Sequence, residues 1–218
     1  MSLAFHEKLR EANGAAWDAM QAHPFVRAIE EDRLEPAAFL RYLAYERDFV
    51  GAAIEIFAEA LIKAPDFAAE RRLIAALGAL AEEQVPYFDA TFAALSAIPL
   101  PRESFPPAVL AFRERMRGIA RTGSYAEIVA AMLAAEWMYA TWCARAALSP
   151  ISDPHIARWV ALHTATDFVA GVAWLKRAVD EEARLATEAV RALLGQRFGE
   201  VLALEIGFHA APLDPAGS

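Results

Sequence analysis

Apolar residues recur at spacings of three and four along almost the whole chain, and this periodicity limits the fold more than any other feature. No segment alternates apolar and polar residues with the period of two that a half-buried strand shows. Proline stands at or near the first turn of several predicted helices, as in His23-Pro24, Glu35-Pro36 and Asp153-Pro154. The sequence therefore predicts an all-α protein.

The helix start and stop signals divide the chain into nine predicted helices. These are 4–21, 24–31, 36–63, 67–94, 107–122, 125–148, 154–165, 167–182 and 184–209. Pro86 should kink the fourth of them, because proline has no N–H for the helical hydrogen bond. No linker and no internal repeat is visible, so we expect a single domain over residues 1–218 whose last ~8 residues form a loose tail.

Composition and charge restrict the function. Of 218 residues 57% are hydrophobic and 23% charged, with a formal charge of −8, so a folded core is expected and nucleic acid is not an expected partner. Cys143 is the only cysteine, so no internal disulfide forms. The most apolar stretch, 128–144, contains Glu136 and is shorter than the ~20 residues of a membrane span. We expect a cytoplasmic protein without a membrane partner.

Three predicted helices each carry one glutamate within an apolar stripe. On the third helix the stripe reads Phe39, Leu43, Glu46, Val50, Ala53 and Phe57, and the opposite face, Arg41, Tyr45, Asp48, Ala52, Glu55 and Glu59, is expected to be solvated. The stripe of the sixth helix reads Ile128, Met132, Ala135, Glu136, Tyr139 and Cys143, and that of the last helix Leu194, Phe198, Val201, Glu205 and Phe208. Glu46, Glu136 and Glu205 are therefore expected to point inward.

A buried carboxylate costs several kcal/mol unless it is paired, so each glutamate alone could be a structural hydrogen-bonding residue. Three of them on separate helices favour a shared polar pocket, and we expect Glu46 and Glu205 in one cavity within about 10 Å. His163 and Asp167, four residues apart, would then share a helix face, although His163 could also be a core histidine bonded to a carbonyl. Aromatic residues such as Tyr42 and Tyr139 could pack in the core or stack on a planar ligand.

Several short motifs resemble TenA-like proteins, the thiaminase II group. They are His23-Pro24-Phe25-Val26, Phe39, Tyr42-Leu43, Glu46, Gly123, Tyr125-Ala126-Glu127-Ile128, Trp137, Tyr139, Trp159, Asp167-Phe168, Glu205 and Phe208. Their order and spacing extend over nearly the whole chain. The resemblance implies a haem-oxygenase-like helical bundle and hydrolysis of the aminopyrimidine breakdown product of thiamin, in which hydroxyl replaces an amino group. It also implies a homodimer or homotetramer.

The resemblance also implies roles for individual residues. Glu205 matches the family's catalytic glutamate, and Glu46 stands where a carboxylate, usually Asp, binds the pyrimidine. Further substrate-binding positions fall on Tyr42, Tyr139, Phe112, His163 and Phe208, of which Phe112 and His163 replace tyrosines.

The family's nucleophilic cysteine falls on Ala135, and alanine cannot attack a ring carbon. Cys143 lies two helical turns away, roughly 12 Å along the axis. A branch of the family uses a glutamate instead, so Glu136, beside Ala135, is the candidate base that activates water together with Glu205.

Two other functions stay open. A pocket that has lost its nucleophile is also what a non-catalytic small-molecule binder or accessory protein would show. Some bundles of this fold are metal-dependent oxygenases, for which Glu136, His163, Asp167 and Glu205 would be partial ligands. A dinuclear site needs at least two inward histidines and the sequence indicates one, so we expect neither a metal nor another cofactor.

Overall fold

The computed structural model describes residues 3–214, and within that range it contains helices and no strand. The α-helices are α1 Phe5–Ala12, α2 Gly14–Gln21, α3 Pro24–Glu30, α4 Pro36–Ile62, α5 Phe67–Ala79, α6 Val85–Ala94, α7 Pro107–Thr122, α8 Tyr125–Ala146, α9 Pro154–Thr164, α10 Thr166–Leu185 and α11 Glu188–Ala210. Short 3₁₀ turns lie at Arg102–Ser104 and Ala211–Leu213. The all-α prediction is confirmed. Among the described residues no helix has the length and apolar content to cross a membrane.

Contacts between Cα atoms group the chain into two compact units. The first contains the described residues up to Leu34 together with Ala126–Ala210, and the second contains Glu35–Tyr125 with the described residues from Ala211 onward. Neither unit is one continuous stretch of sequence. The single domain expected from the sequence therefore stays a prediction.

In the first unit, α11 packs against α1, α2 and α3, while α10 packs against α1 and α9. Most side chains of α8 are apolar and buried, which is typical of a helix buried on every side. Arg145 near its end donates to the Gln21 carbonyl and to Glu30. These contacts hold α8 against the chain segment that contains α2 and α3.

In the second unit, α4 is the central helix and packs against α5, α6 and α7. The face of α4 expected to be solvated is partly buried: Tyr45 is 3% exposed and packs edge-on against Phe105 at 4.9 Å, and Ala52 is 0% exposed. Asp48 on the same face pairs with Arg113 at 3.1 Å. That expectation was wrong because helices cover α4 on more than one side.

A π-helical turn at Leu80–Gln84 lies between α5 and α6, just before Pro86, where the sequence predicts a kink. Pro86 provides no N–H, and its ring would meet the carbonyl group of residue 82 in a regular α-helix. The wider turn removes this conflict without ending the helical path.

The end of the described chain is ordered further than expected. Ala211–Leu213 forms a 3₁₀ turn with Ala211 and Pro212 buried, and Arg41 donates from Nε to the Pro212 carbonyl at 2.9 Å. The expected loose tail is thus wrong for these three residues, and its part after Asp214 lies outside the described residues.

Gly199 of α11 lies against the Asn13 side chain at the break between α1 and α2. Asn13 Nδ2 donates to the Leu9 carbonyl at 2.8 Å, and a Cβ atom on Gly199 would lie 2.1 Å from Asn13 Oδ1. Gly199→Ala should therefore push the Asn13 amide away from its bond to the Leu9 carbonyl, and should lower the free energy of unfolding by about 1 kcal/mol relative to Gly118→Ala. Denaturant unfolding measures this, with Gly118→Ala as control, since no atom stands within 4 Å of a Cβ there. An equal effect of the two substitutions would contradict the packing argument.

Candidate functional site

Glu205 is the most buried carboxyl group that the structure describes. It lies in the last third of α11, 1% exposed, and burial raises its pKa well above the ordinary value. Burial penalises the charged form, so the protonated acid is favoured. Glu205 is thus set up to donate a proton or a hydrogen bond.

His209 lies one turn after Glu205 on the same helix and is 0% exposed. Its Nδ1 is 2.9 Å from the Glu205 backbone carbonyl oxygen and 3.4 Å from Glu205 Oε2. The N–H is directed at the carbonyl, so the longer contact to Oε2 is electrostatic and does not qualify as a hydrogen bond. The two side chains form an i, i+4 acid–imidazole pair inside the first unit.

Aromatic rings surround this pair. The ring of His209 lies 5.4 Å from Tyr139, 5.8 Å from Phe208 and 5.5 Å from Phe25 between ring centroids. Trp142 stands edge-on to it at 6.3 Å. These rings give the pair low-dielectric surroundings, which disfavour the charged form of the buried carboxyl group.

His163 joins the cluster from the last turn of α9. Its Nδ1 is 2.9 Å from the Trp159 carbonyl oxygen, and its ring stacks on Tyr139 at 5.0 Å. Burial is the main cause that lowers the pKa of His163 to about 4, and the nearby His209 adds to this effect. The hydrogen bond to the Trp159 carbonyl acts in the opposite direction and raises the pKa. It is therefore neutral near pH 7, and its carbonyl bond is the one that a core histidine would make.

His23 closes the cluster from the N-cap of α3, where its Nδ1 accepts from the Phe25 N–H at 3.2 Å. Its ring is 6.1 Å from that of His209. Burial is the main cause that lowers its pKa to about 4, and His209 adds to this effect. The N-cap role follows from Nδ1 being an unprotonated acceptor.

The residues predicted for the site fall into both units. Glu205, Tyr139, His163 and Phe208 belong to the first unit and are buried around His209. Tyr42, Glu46 and Phe112 belong to the second unit and are also buried, at 0%, 7% and 1% exposure. Burial of Glu46 and Glu205 is as expected, and their common cavity stays a prediction.

The structure bears on two further acidic residues. Glu136 is only partly buried between its buried neighbours Ala135 and Trp137, so its inward direction stays a prediction. Asp167 does not share a helix with His163, since α9 ends at Thr164 and the extended Ala165 separates it from α10. Their i, i+4 relation in the sequence therefore gives no common helix face.

Sequence reasoning missed His209 and noted His23 only as the residue before Pro24 and as part of a family motif. The signal for His209 was present, because it stands four residues after a glutamate in a buried stripe. It was overlooked at the end of the last predicted helix, where fraying and exposure are usual. Three buried histidines are therefore described, where the sequence indicated one.

These histidines do not assemble a metal site. Within residues 3–214, no three His, Cys, Asp or Glu side chains stand where they could hold one ion. Nδ1 of His163 and of His209 each bond a carbonyl, and Nδ1 of His23 caps a helix. The cluster instead offers a buried carboxyl group beside imidazole and aromatic faces, which suits proton transfer to a planar molecule.

Comparison with known proteins gives consistent matches over the chain. A sequence model of the TENA/THI-4/PQQC family matches residues 9–214. An aminopyrimidine aminohydrolase from Halalkalibacterium halodurans is 25% identical over 210 residues, which cover 94% of each chain.

Solved structures agree in fold. A TenA homologue from Pyrococcus furiosus superposes with a TM-score of 0.89 at 18% identity, covering 95% of this chain and 99% of that one. A TenA family transcription regulator from Silicibacter sp. TM1040 superposes with a TM-score of 0.85 at 21% identity, covering 97% of each chain. A putative TenA-like thiaminase from Sulfolobus solfataricus superposes with a TM-score of 0.77 at 17% identity, covering 95% of this chain and 94% of that one. The expected helical-bundle fold is confirmed.

Proposed function

Because the chain belongs to the TENA/THI-4/PQQC family, we propose that it hydrolyses an aminopyrimidine breakdown product of thiamin, replacing an amino group by hydroxyl. The observation that carries this proposal is the burial of the Glu205 carboxyl group among aromatic rings. Burial raises the pKa of this carboxyl group. The name of the 25% identical relative supports the same substrate class.

The reaction needs an acid, a base and water. Water oxygen bonds to the carbon that carries the amino group, the C–N bond breaks, and the departing nitrogen takes a proton and leaves as ammonia. We assign the proton donor to Glu205, since a neutral carboxylic acid can protonate a leaving amine. A second group must take the proton from the attacking water.

Glu136 is the proposed base. It adjoins Ala135, where the family's nucleophilic cysteine would stand, and it is only partly buried. A carboxylate beside the position of the missing nucleophile can act as a general base toward water. The pair would thus divide the acid and base roles, as carboxylate pairs in other hydrolases do.

The aromatic residues are proposed to hold the ring. Tyr139 lies between His163 and His209, with ring centroids 5.0 and 5.4 Å away. Planar ligands stack well on such faces. We propose that Tyr139, His163 and Phe208 contact the pyrimidine.

Glu46 is proposed to bind an amino-bearing edge of the pyrimidine. Glu46→Gln keeps the shape of the side chain but removes its charge, so KM should rise by about 10- to 100-fold with a smaller change in kcat. Steady-state kinetics on the aminopyrimidine measures the two constants separately. A fall in kcat at unchanged KM would contradict a binding role. Glu59→Gln, on the same helix, is the control.

A non-catalytic binder is the second candidate, and Ala135 favours it because the residue offers no nucleophile. The test is to incubate purified protein with the aminopyrimidine, following ammonia and the hydroxylated product by mass spectrometry. Product above background supports the hydrolase, whereas tight binding measured by calorimetry without product supports the binder. Elemental analysis belongs in the same experiment: near-stoichiometric iron or manganese, with activity lost on stripping, would favour the oxygenase.

The resemblance also leads us to propose a homodimer or homotetramer. Sedimentation equilibrium at several concentrations tests this, and a monomer at all concentrations would contradict it.

A further inference from the structure

His209 is buried beside Glu205, yet none of the roles proposed above uses it. Both side chains project from the last turns of α11, and neither is more than 1% exposed. A buried imidazole within 3.4 Å of a carboxyl oxygen changes the electrostatics of that carboxyl group.

The tautomer of His209 follows from its backbone bond. Its Nδ1 lies 2.9 Å from the Glu205 carbonyl oxygen, and a carbonyl oxygen only accepts hydrogen bonds. Nδ1 must therefore carry the hydrogen. In the neutral ring Nε2 is then the unprotonated nitrogen.

This tautomer decides which oxygen of Glu205 holds the acidic hydrogen. Oε2 lies 3.4 Å from Nδ1 and so faces the positive end of the N–H dipole. A hydrogen on Oε2 would meet that N–H with like polarity, whereas an unprotonated Oε2 is attracted to it. The hydrogen is thus favoured on Oε1.

We propose that His209 is a positioning residue for Glu205, whose Nδ1–H keeps the acidic hydrogen on Oε1 and stabilises the carboxylate left after that hydrogen has been donated. The destination of the proton rests on the proposed function. The O–H bond of Oε1 breaks, its electron pair stays on the carboxyl group, and the hydrogen bonds to the departing nitrogen. A dipole fixed in advance needs no reorganisation as the charge develops.

Three titratable side chains of the first unit lie around His209. His23 at the N-cap of α3 and His163 at the end of α9 both have a pKa lowered to about 4, so they are uncharged near neutral pH. Tyr139 of α8 presents its ring to His209. The polar contact to Oε2 that the structure describes is that of His209 Nδ1.

Two variants distinguish the effect of the Nδ1–H of His209 from the effect of its aromatic ring. His209→Phe keeps an aromatic ring against Phe25 and Trp142 but has no N–H, and His209→Asn places an amide N–H near the position of Nδ1. The ionisation of Glu205 is followed by infrared difference spectroscopy of the carboxylic-acid C=O band, assigned with Glu205→Gln. We expect the ionisation midpoint to rise by about one pH unit in His209→Phe, a tenfold change in the acid constant, and to stay within a few tenths in His209→Asn. An unchanged midpoint in His209→Phe, or equal shifts in both variants, would overturn the proposal.

A measurement on the wild-type protein keeps the proposal testable if His209→Phe does not fold. The ¹⁵N spectrum of labelled histidine distinguishes a protonated Nδ1 from a protonated Nε2, with the His209 signals assigned by their loss in His209→Asn. We expect the Nδ1–H tautomer near pH 7. A hydrogen on Nε2 with a bare Nδ1 would overturn the account.

Kinetics adds a readout that belongs to the proposed function. If the wild type turns over the aminopyrimidine, His209→Phe should lower kcat by about 10-fold with KM nearly unchanged, and His209→Asn should restore most of kcat. If the wild type shows no turnover, the proposed function fails, while the infrared and ¹⁵N results still decide the role of His209.

Discussion

Replacing Glu205 by Gln should lower kcat for aminopyrimidine hydrolysis by about 10²–10⁴-fold, the usual contribution of a positioned general acid or base. Glutamine has the shape of the protonated carboxyl group, but it has no acidic hydrogen to donate. KM should change little, because the ring contacts remain. Steady-state kinetics measures this, with Glu200→Gln as matched control, since Glu200 is on the same helix and pairs with Arg197. A loss of less than threefold in Glu205→Gln would contradict the acid role.

The same variant should fold at least as well as the wild type at alkaline pH. The raised pKa of Glu205 means that the unfolded chain ionises first, so wild-type stability falls as pH rises above the ordinary carboxyl pKa toward the folded value. Glutamine does not ionise and avoids this loss. Thermal unfolding at pH 8 checks that lost activity does not come from lost structure.

Lowering the pH from about 6.5 to about 4 should destabilise the fold by up to ~3 kcal/mol for each of His23 and His163. Their folded pKa is about 4, against an ordinary value of 6.5, so between these values the unfolded chain binds protons that the folded chain does not. Stability is complete above pH 6.5 and falls until pH reaches about 4. Across the same pH range the raised pKa of Glu205 makes the fold more stable as the pH falls. This is the effect of one carboxyl group, whereas two histidines lower the stability.

Denaturant unfolding at several pH values measures this dependence. His163→Gln keeps a side chain that can bond the Trp159 carbonyl yet does not titrate, so its stability should fall less steeply between pH 6.5 and 4. His155→Gln, on the same helix, is the control. Identical slopes in wild type and His163→Gln would contradict a buried neutral His163.

The helices were predictable because periodicity and proline act locally. The bounds of α4, α7 and α9 agree with the prediction within one residue, as Pro36, Pro107 and Pro154 begin them. Burial of Glu46 and Glu205 was also predictable, since each interrupts an otherwise apolar stripe. Sequence periodicity does not indicate how many other helices pack against a given helix. For this reason the face of α4 that contains the buried Tyr45 was predicted to be solvated.

The candidate site was predictable in its carboxyl group and less so in its partners. Glu136 was expected to point inward because it falls within an apolar stripe of α8. Since α8 is apolar on nearly all sides, its sequence does not define which face points inward. Asp167 was expected beside His163 because spacing alone does not reveal the break at Ala165. His209 was missed since its importance depends on α11 staying ordered to Ala210.

The central claim is that the carboxyl group of Glu205 meets the nitrogen that leaves. A crystal structure of the Glu205→Gln variant soaked with the aminopyrimidine tests this most directly, since the variant should bind the ring without consuming it. We predict the amino nitrogen that would leave at about 3 Å from the substituted amide side chain at position 205, with the ring stacked near Tyr139. A ring bound elsewhere, with the surroundings of Tyr139 and His209 unoccupied, would contradict the account.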